Sequence, residues 1–135
     1  MNLYLDTEFN GFGGELISLA LVSSSGHEFY QSLGCKSPCV WVAQHVMPVI
    51  GIPSVDKKQM QMMLHFFLMQ FESVHIIADW PEDIKYFCEL LITGPGERIN
   101  TPPLTLEIRR DLNSDDSDVQ HNALADVKSM MKNER

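Results

Sequence analysis

The sequence predicts an α/β domain on a mixed five-stranded sheet, with three antiparallel strands first, parallel strands after them, and helices on the faces. Two observations predict it. Residues 2–31 contain three short apolar runs separated by turns with glycine or serine, as in an antiparallel meander. After residue 37, segments with helical spacing alternate with two more apolar runs, which is typical of parallel strands joined by helices. A length of 135 residues suits one core, so we predict a single domain over residues 1–135.

The three antiparallel strands are predicted at residues 2–6, 16–23 and 27–31. The first is short and largely apolar, and the second is apolar with small residues. The two links, residues 11–14 and 24–26, are rich in glycine and serine, which favour turns. Short links of this kind join neighbouring antiparallel strands, so these strands should form a meander.

Two helices are predicted next. Ser37 and Pro38 have the composition of an N-cap followed by a first-turn proline, so a helix should start there and end near Val49. A second helix follows Ser54, and its apolar arc is wider than that of an ordinary surface helix. The arc consists of Met60, Met62, Met63, Leu64, Phe66, Phe67, Leu68, Met69 and Phe71. Such a helix is either nearly buried or in contact with another subunit, and we favour burial.

The rest of the chain completes the alternation. We predict strands at residues 74–78 and 104–108, helices at 81–92 and 122–131, and loops at 93–103 and 111–118. The first loop is rich in glycine and proline, and the second is acidic with few core-forming residues, so it should be mobile. This order of elements matches the ribonuclease H-like arrangement, by analogy of fold alone.

Composition and charge narrow the class of protein. The chain is 44% hydrophobic and 21% charged, which is ordinary for a globular protein. It has no apolar run of the roughly 18 residues that a membrane span needs, and its N-terminus lacks the basic region of a signal peptide. We therefore expect a cytoplasmic protein with no membrane partner. The net charge of −8 argues against a basic nucleic-acid-binding surface, although bound metal ions would supply positive charge locally.

The cysteines suggest no special chemistry. Cys35, Cys39 and Cys88 form an odd set with no CxxC motif. A disulfide framework or a zinc site is therefore not expected, and buried thiols are the simplest interpretation.

Acidic residues follow two of the predicted strands. Asp6 and Glu8 are two positions apart, so on one strand both carboxylates lie on the same face. Carboxylates at the end of a buried strand are costly unless they are paired or bound to a metal. Asp79 and Asp83 follow the central strand, and one of them should complete the site. A structural role explains each of these two residues as well as a role in the site does. For Asp83 that role is stabilisation by the helix dipole, and for Asp79 it is a turn or a cap.

A histidine and an aspartate form the third cluster, near the C-terminus. His121 and Asp126 are five residues apart, about 140° around an ideal helix, so they would not share a face. We place Asp126 inside the last helix and His121 at its entry. Histidine is the side chain suited to deprotonate a metal-bound water near neutral pH. The remaining histidines are expected to be structural: His27, His45, His65 and His75.

Taken in order, these motifs resemble those of a known enzyme family. Asp6-x-Glu8, Asp83 and His121-x4-Asp126 resemble the three motifs of the DEDD 3′–5′ exonucleases, in the subgroup with a histidine in the third motif. That subgroup includes proofreading exonuclease subunits, oligoribonuclease and ribonuclease T. In its second motif an Asn usually stands four residues before the catalytic Asp, and here Asp79 takes that position. Residues 78–81 and 41–48 further resemble a short bacterial and phage branch that includes a mycobacterial poly(A)-trimming ribonuclease.

The resemblance implies a site and a reaction. Two Mg²⁺ or Mn²⁺ ions would be held by Asp6, Glu8, Asp83 and Asp126, and His121 would be the general base. The enzyme would release nucleoside 5′-monophosphates stepwise from the 3′ end of single-stranded RNA or DNA, with RNA favoured. The substrate-binding residues would be Phe9, Asn10, Phe12, Asp79 and Trp80. Phe9 and Phe12 fit equally well as core residues. A homodimer is also expected, because ribonuclease T and oligoribonuclease are dimers.

Two other functions remain open at this point. One is a non-catalytic interaction module on the same fold, although a complete set of carboxylates with His121 argues against a decayed site. The other is a metal phosphoesterase that acts on small nucleotides. Substrate length separates them, because an exonuclease shortens oligonucleotides whereas a small-molecule enzyme ignores them.

Overall fold

The computed structural model of the protein describes residues 1–134 and has the predicted α/β architecture. Its strands are β1 (Asn2–Phe9), β2 (Leu16–Val22), β3 (Glu28–Ser32), β4 (Val74–Ala78), β5 (Ile92–Gly94), β6 (Glu97–Arg98) and β7 (Leu104–Ile108). Its α-helices are α1 (Val40–His45), α2 (Lys57–Met69), α3 (Pro81–Leu91) and α4 (Ala123–Lys132). A five-stranded sheet in the order β3-β2-β1-β4-β7 forms its centre. The predicted mixed, ribonuclease H-like sheet with flanking helices is thus confirmed.

Strand β1 is the central strand and changes the direction of pairing. On one side it pairs antiparallel with β2, which pairs antiparallel with β3. On the other side it pairs parallel with β4, which pairs parallel with β7. The carboxyl ends of β1, β4 and β7 therefore lie along one edge of the sheet, the edge at which open α/β sheets bind ligands.

Alternating side chains of β1 build one core on each face of the sheet. Leu3 and Leu5 face α2 and α3 and pack in a cluster with Leu64 and Phe87, all fully buried. Tyr4 faces the other way and packs in a second cluster with residues of α4. Because side chains pack on both faces of β1, the strand is held firmly just N-terminal to Asp6 and Glu8.

Three local predictions need correction. Helix α1 starts at Val40, with Cys39 rather than Ser37 as its N-cap, and it ends at His45 before a short 3-10 turn at residues 47–49. The segment predicted as a loop at residues 93–103 contains most of the β5–β6 hairpin, which folds across Pro95-Gly96. The expected burial of the thiols is wrong, because Cys39 is exposed and Cys35 and Cys88 are only partly buried.

The favoured burial of helix α2 is wrong for four of the nine residues in its apolar arc. Met60, Leu64 and Leu68 are fully buried against the sheet. The exposed residues of the arc are Met62, Met63, Phe66 and Met69. A capping box fixes the start of the helix, because Asp56 accepts from the backbone N–H of Gln59 at 2.8 Å while the Gln59 side chain accepts from the Asp56 N–H. The helix is amphipathic with an exposed apolar side, so the alternative of contact with another subunit stays open.

Membrane insertion of a helix finds no support. Within residues 1–134, no helix combines the length and the apolar character needed to cross a membrane.

Neighbouring residues of α2 provide a test of the core. Leu68→Ala should lower the free energy of unfolding by about 2–5 kcal/mol, because it leaves a cavity in a close-packed cluster. Met69→Ala, at a side chain that is 47% exposed, should change it by less than about 0.5 kcal/mol. Urea unfolding at two protein concentrations measures both values. A large, concentration-dependent loss in Met69→Ala would instead show that this side of α2 is covered by a second chain.

Candidate metal centre

The carboxyl end of β1 provides the first two acids of the site. Asp6 pairs with Ala20 and Glu8 with Ser18 in the β1–β2 ladder, so both side chains lie on the α4 face of the sheet. Both are partly buried. The prediction that alternate residues of this strand present their carboxylates together is borne out by the geometry.

Five carboxylates from four segments of the chain converge on this point. The oxygens of Asp6, Glu8 and Asp126 lie within 4.8 Å of one another. The same limit holds for a second group, formed by Asp6, Asp79 and Asp83. Asp6 belongs to both groups and therefore sits at the centre. Helix α4 contributes one acid, helix α3 another, and the turn after β4 a third, as the sequence motifs predict.

Asp83 is held in place by a residue that the sequence reasoning did not single out. Asp83 is only 3% exposed, in the first turn of α3. The hydroxyl of buried Thr7 donates to its Oδ1 at 2.5 Å. Thr7 lies between Asp6 and Glu8, and strand alternation directs it to the opposite face of the sheet, where α3 packs. That alternation is the signal from which its role can be derived.

Burial and mutual repulsion raise the pKa values of these acids. Burial, followed by the charges of Asp126 and Asp83, raises the pKa of Glu8 to about 9. Burial also raises the pKa of Asp83 to about 7, although the hydrogen bond from Thr7 partly opposes it. The pKa of Asp6 is raised well above its ordinary value, by burial first and then by all four neighbouring carboxylates. The site therefore resists full ionisation unless positive charge is added.

The donor set fits hard divalent cations. Asp126 is 6% exposed, and its Oδ2 accepts from the backbone N–H of His121 at 3.1 Å. Its Oδ1 is buried and, within residues 1–134, has no hydrogen-bond partner, which is costly for a carboxylate. Clustered carboxylate oxygens are the ligands that Mg²⁺ and Mn²⁺ prefer. Two overlapping groups that share Asp6 suit two ions.

The predicted base lies at the entry to helix α4. His121 has a backbone φ of 68°, in the left-handed region that non-glycine residues rarely adopt. Its ring contacts Trp41 edge-on, with centroids 4.8 Å apart, and Trp41 stacks on His45. The His121 ring belongs to neither carboxylate group. This placement agrees with the expectation that His121 and Asp126 do not share a helix face.

Asn122 fixes the position of this entry. Its side-chain oxygen caps α4 by accepting from the Ala125 N–H at 3.0 Å. Its amide donates to the Val49 carbonyl at 2.7 Å. These bonds tie the start of α4 to the turn that follows α1. The residues on either side of Asn122, including His121, are thereby held beside β1.

The predicted nucleotide contacts after β1 occupy different environments. Phe9 stacks on Tyr86 at 4.8 Å, so its ring packs within the fold. Phe12 is 98% exposed, between Gly11 and Gly13, which both have positive φ. Of these two aromatic rings, that of Phe12 is the one open to a ligand.

The amide of Asn10 is engaged within the protein. Its oxygen accepts from the Cys39 N–H at 2.8 Å, and its nitrogen donates to the Ser37 carbonyl at 3.0 Å and to Glu15 at 3.2 Å. These bonds attach the start of α1 to the end of β1. The structure thus gives the Asn10 amide a positioning role, and its predicted contact with substrate stays a prediction.

Trp80 and Asp79 lie on the opposite side of the site from His121. Trp80 is 45% exposed, and the guanidinium of Arg110 lies 4.6 Å from its ring centroid. Burial raises the pKa of Asp79, and the charge of Arg110 acts against that rise. Arg110 was not expected at the site.

Comparison with known proteins adds no assignment. No protein-family model matches the chain, and no curated protein matches its sequence. The function is therefore argued from the carboxylate cluster and its surroundings.

We expect the metal-free protein to lose stability as the pH rises from about 5 to about 9. Glu8 and Asp83 have pKa values of about 9 and about 7 in the fold, above their ordinary values of 4.5 and 3.8. The folded state therefore holds more protons than the unfolded chain in this interval, and stability is lost as they leave. Thermal unfolding in EDTA, followed by circular dichroism, measures the trend.

Glu8→Gln is the matched variant for this experiment, because it removes one of the repelling charges. Its melting temperature should depend less on pH than that of the original protein. Mg²⁺ or Mn²⁺ should raise the melting temperature of the original protein more at high pH than at low pH, because protons compete for the ligands. A melting temperature that rises with pH in EDTA would contradict this account of the cluster.

Proposed function

We propose that the protein is a metal-dependent 3′–5′ exonuclease that releases nucleoside 5′-monophosphates from single-stranded nucleic acid, with RNA favoured over DNA. The observation that carries the proposal is the convergence of five carboxylates around Asp6, with a histidine at the edge of the cluster. The motif resemblance, in order along the chain, supports the same reaction. The proposal assigns metal binding to Asp6, Glu8, Asp83 and Asp126, with Asp79 close enough to assist.

Bound Mg²⁺ or Mn²⁺ would polarise the scissile phosphate, lower the pKa of the attacking water and stabilise the leaving 3′-oxygen. The chain's own residues set up that chemistry. Thr7 orients Asp83 through its hydroxyl, and the His121 backbone N–H orients Asp126 through its Oδ2. These two hydrogen bonds hold acids that come from helices on opposite faces of the sheet, so that both carboxylates reach the cluster around Asp6.

The proposed role of His121 is to accept the proton of the attacking water at a ring nitrogen. Its position outside both carboxylate groups suits a base better than a ligand. Edge-on contact with Trp41 restrains the ring. An imidazole held in this way can accept the proton of the water and pass it to solvent.

An exposed aromatic ring supports a nucleotide substrate. Phe12 projects from the loop directly after the first acidic motif and has almost no contacts to lose. A nucleobase stacked on such a ring gains roughly 1–3 kcal/mol, largely without regard to its sequence. This contact suits the terminal base of a single strand.

The direct test is a time course with 5′-labelled single-stranded RNA and DNA of equal sequence, in Mg²⁺, Mn²⁺ or EDTA. We expect a metal-dependent ladder that shortens from the 3′ end, faster on RNA. Asp126→Asn should abolish it while remaining folded, because the change removes charge from a repelling cluster. Asp116→Asn, in the exposed acidic loop, is the charge-matched control and should keep full activity.

The outcome also separates the other functions. If neither polymer is shortened while the folded protein binds Mn²⁺, the proposal fails. Hydrolysis of dinucleotides or free nucleotides alone would then favour a small-nucleotide phosphoesterase. Binding of oligonucleotides without hydrolysis would favour the interaction module.

A second prediction concerns the base. His121→Gln should lower kcat by a factor of about 10²–10⁴ while leaving the metal-induced rise in melting temperature nearly unchanged. His65→Gln is the control, because His65 lies on α2, outside both carboxylate groups, and its ring bonds the Asn100 carbonyl. Loss of metal-induced stabilisation in His121→Gln would make His121 a ligand instead.

A further inference from the structure

The carboxyl edge of the parallel strands carries more than acids. Asp6 and Glu8 end β1, Asp79 follows β4 directly, and Arg110 lies two residues beyond the end of β7. The Arg109 N–H donates to the Ala78 carbonyl at 2.7 Å, which extends the β4–β7 pairing up to this point. An arginine therefore stands in line with the acidic residues, two strand spacings or about 10 Å from β1.

The guanidinium of Arg110 is held in a defined position. One face lies against the Trp80 ring, 4.6 Å from its centroid, and Nη1 donates to the Asp79 carbonyl. Within residues 1–134, no carboxylate forms a salt bridge with it. The neighbouring Arg109 differs, because Asp111 and Glu134 both pair with its guanidinium.

A held and unpaired arginine suits a phosphate. The guanidinium presents several N–H donors in a rigid fork that matches two phosphate oxygens. Contact with Trp80 limits its motion, so less conformational freedom is lost on binding. In a chain of net charge −8, this positive charge beside the carboxylates also offsets their repulsion of a nucleic-acid backbone.

We propose that Arg110 binds the phosphodiester next to the scissile one, and that Trp80 and the Asp79 carbonyl are its positioning groups. The inference rests on the proposed exonuclease function. The scissile phosphate joins the last two nucleotides, so a second phosphate must lie on its 5′ side. Arg110 bonds the carbonyl of Asp79, whose carboxylate belongs to one group with Asp6 and Asp83, so its guanidinium lies beside the site and within reach of this next phosphate. The substrate thus runs along the sheet edge from β1 towards β7.

The test pairs a protein variant with a modified substrate. Arg110→Gln should raise KM on a short single-stranded oligonucleotide about 10-fold, with kcat nearly unchanged, because a charged hydrogen bond is lost away from the reacting atoms. A neutral methylphosphonate at the linkage 5′ to the scissile one should raise KM equally for the original protein. The two changes together should cost no more than either one, because both remove the same contact. Independent, additive effects would overturn the proposal.

Matched variants separate this contact from general charge effects. Arg98→Gln removes one positive charge from the exposed β5–β6 hairpin and should leave KM unchanged. Arg110→Lys should recover part of the loss, because it keeps the charge but not the fork. If Arg98→Gln raises KM as much as Arg110→Gln, the effect is overall charge and the assignment is wrong.

The positioning role of Trp80 has its own signature. Trp80→Leu should raise KM as Arg110→Gln does and add nothing in the double variant, provided that circular dichroism shows a folded protein. If Trp80→Leu adds fully to Arg110→Gln, Trp80 acts on the substrate independently and is not a positioning residue.

Failure of this inference is distinct from failure of the proposed function. Were the original protein to leave every oligonucleotide intact, both would fall together. Normal 3′ trimming by the original protein, with an unaltered KM in Arg110→Gln, would overturn the Arg110 assignment alone.

Discussion

Electrostatic repulsion among the carboxylates around Asp6 is the constraint on which the rest of this structure depends. Burial, followed by the charges of Asp126 and Asp83, raises the pKa of Glu8 to about 9, so the fold must stabilise carboxylates that oppose one another's ionisation. Strand β1 makes this possible, because it is paired on both sides and covered on both faces. Leu3 and Leu5, fully buried, anchor the strand within three residues of the first acid.

The same constraint accounts for the supporting hydrogen bonds. A carboxylate that is repelled by its neighbours moves away unless something holds it. Thr7 holds Asp83, and the backbone of His121 holds Asp126. Asn10 and Asn122 act indirectly, because Asn10 attaches the start of α1 to the end of β1 and Asn122 attaches the start of α4 to the turn after α1. Polar residues near the site therefore serve mainly to fix the acids.

Much of the fold follows from the sequence, and the exceptions have physical causes. The strands Val74–Ala78 and Leu104–Ile108 match their predicted ranges, because the first is a largely apolar run, the second alternates apolar with polar residues, and polar or breaking residues bound both. The β5–β6 hairpin was missed because strands of two or three residues around Pro95-Gly96 have the composition of a loop. The exposed side of α2 was misjudged because methionine and phenylalanine predict burial by composition alone, whereas exposure depends on what packs there.

For the site, sequence reasoning reached the acids but not their partners. Asp6 and Glu8 follow from strand alternation, and Asp83 and Asp126 follow from the motif resemblance. Arg110 follows from neither, because its place beside Asp79 depends on the parallel pairing of β7 with β4. The contact of Trp41 with His121 likewise joins residues that are far apart in the chain.

The left-handed backbone of His121 has a consequence for how the chain would respond to selection. An imidazole-bearing residue at φ 68° costs about 1–2 kcal/mol relative to an unstrained conformation, and glycine would relieve most of that cost. A library of variants sorted only for folding would therefore drift towards glycine or asparagine at this position. A library sorted for turnover would keep the histidine and accept the lower stability. A difference between the two libraries at position 121 would show that the protein accepts a lower stability in order to hold an imidazole beside Asp126.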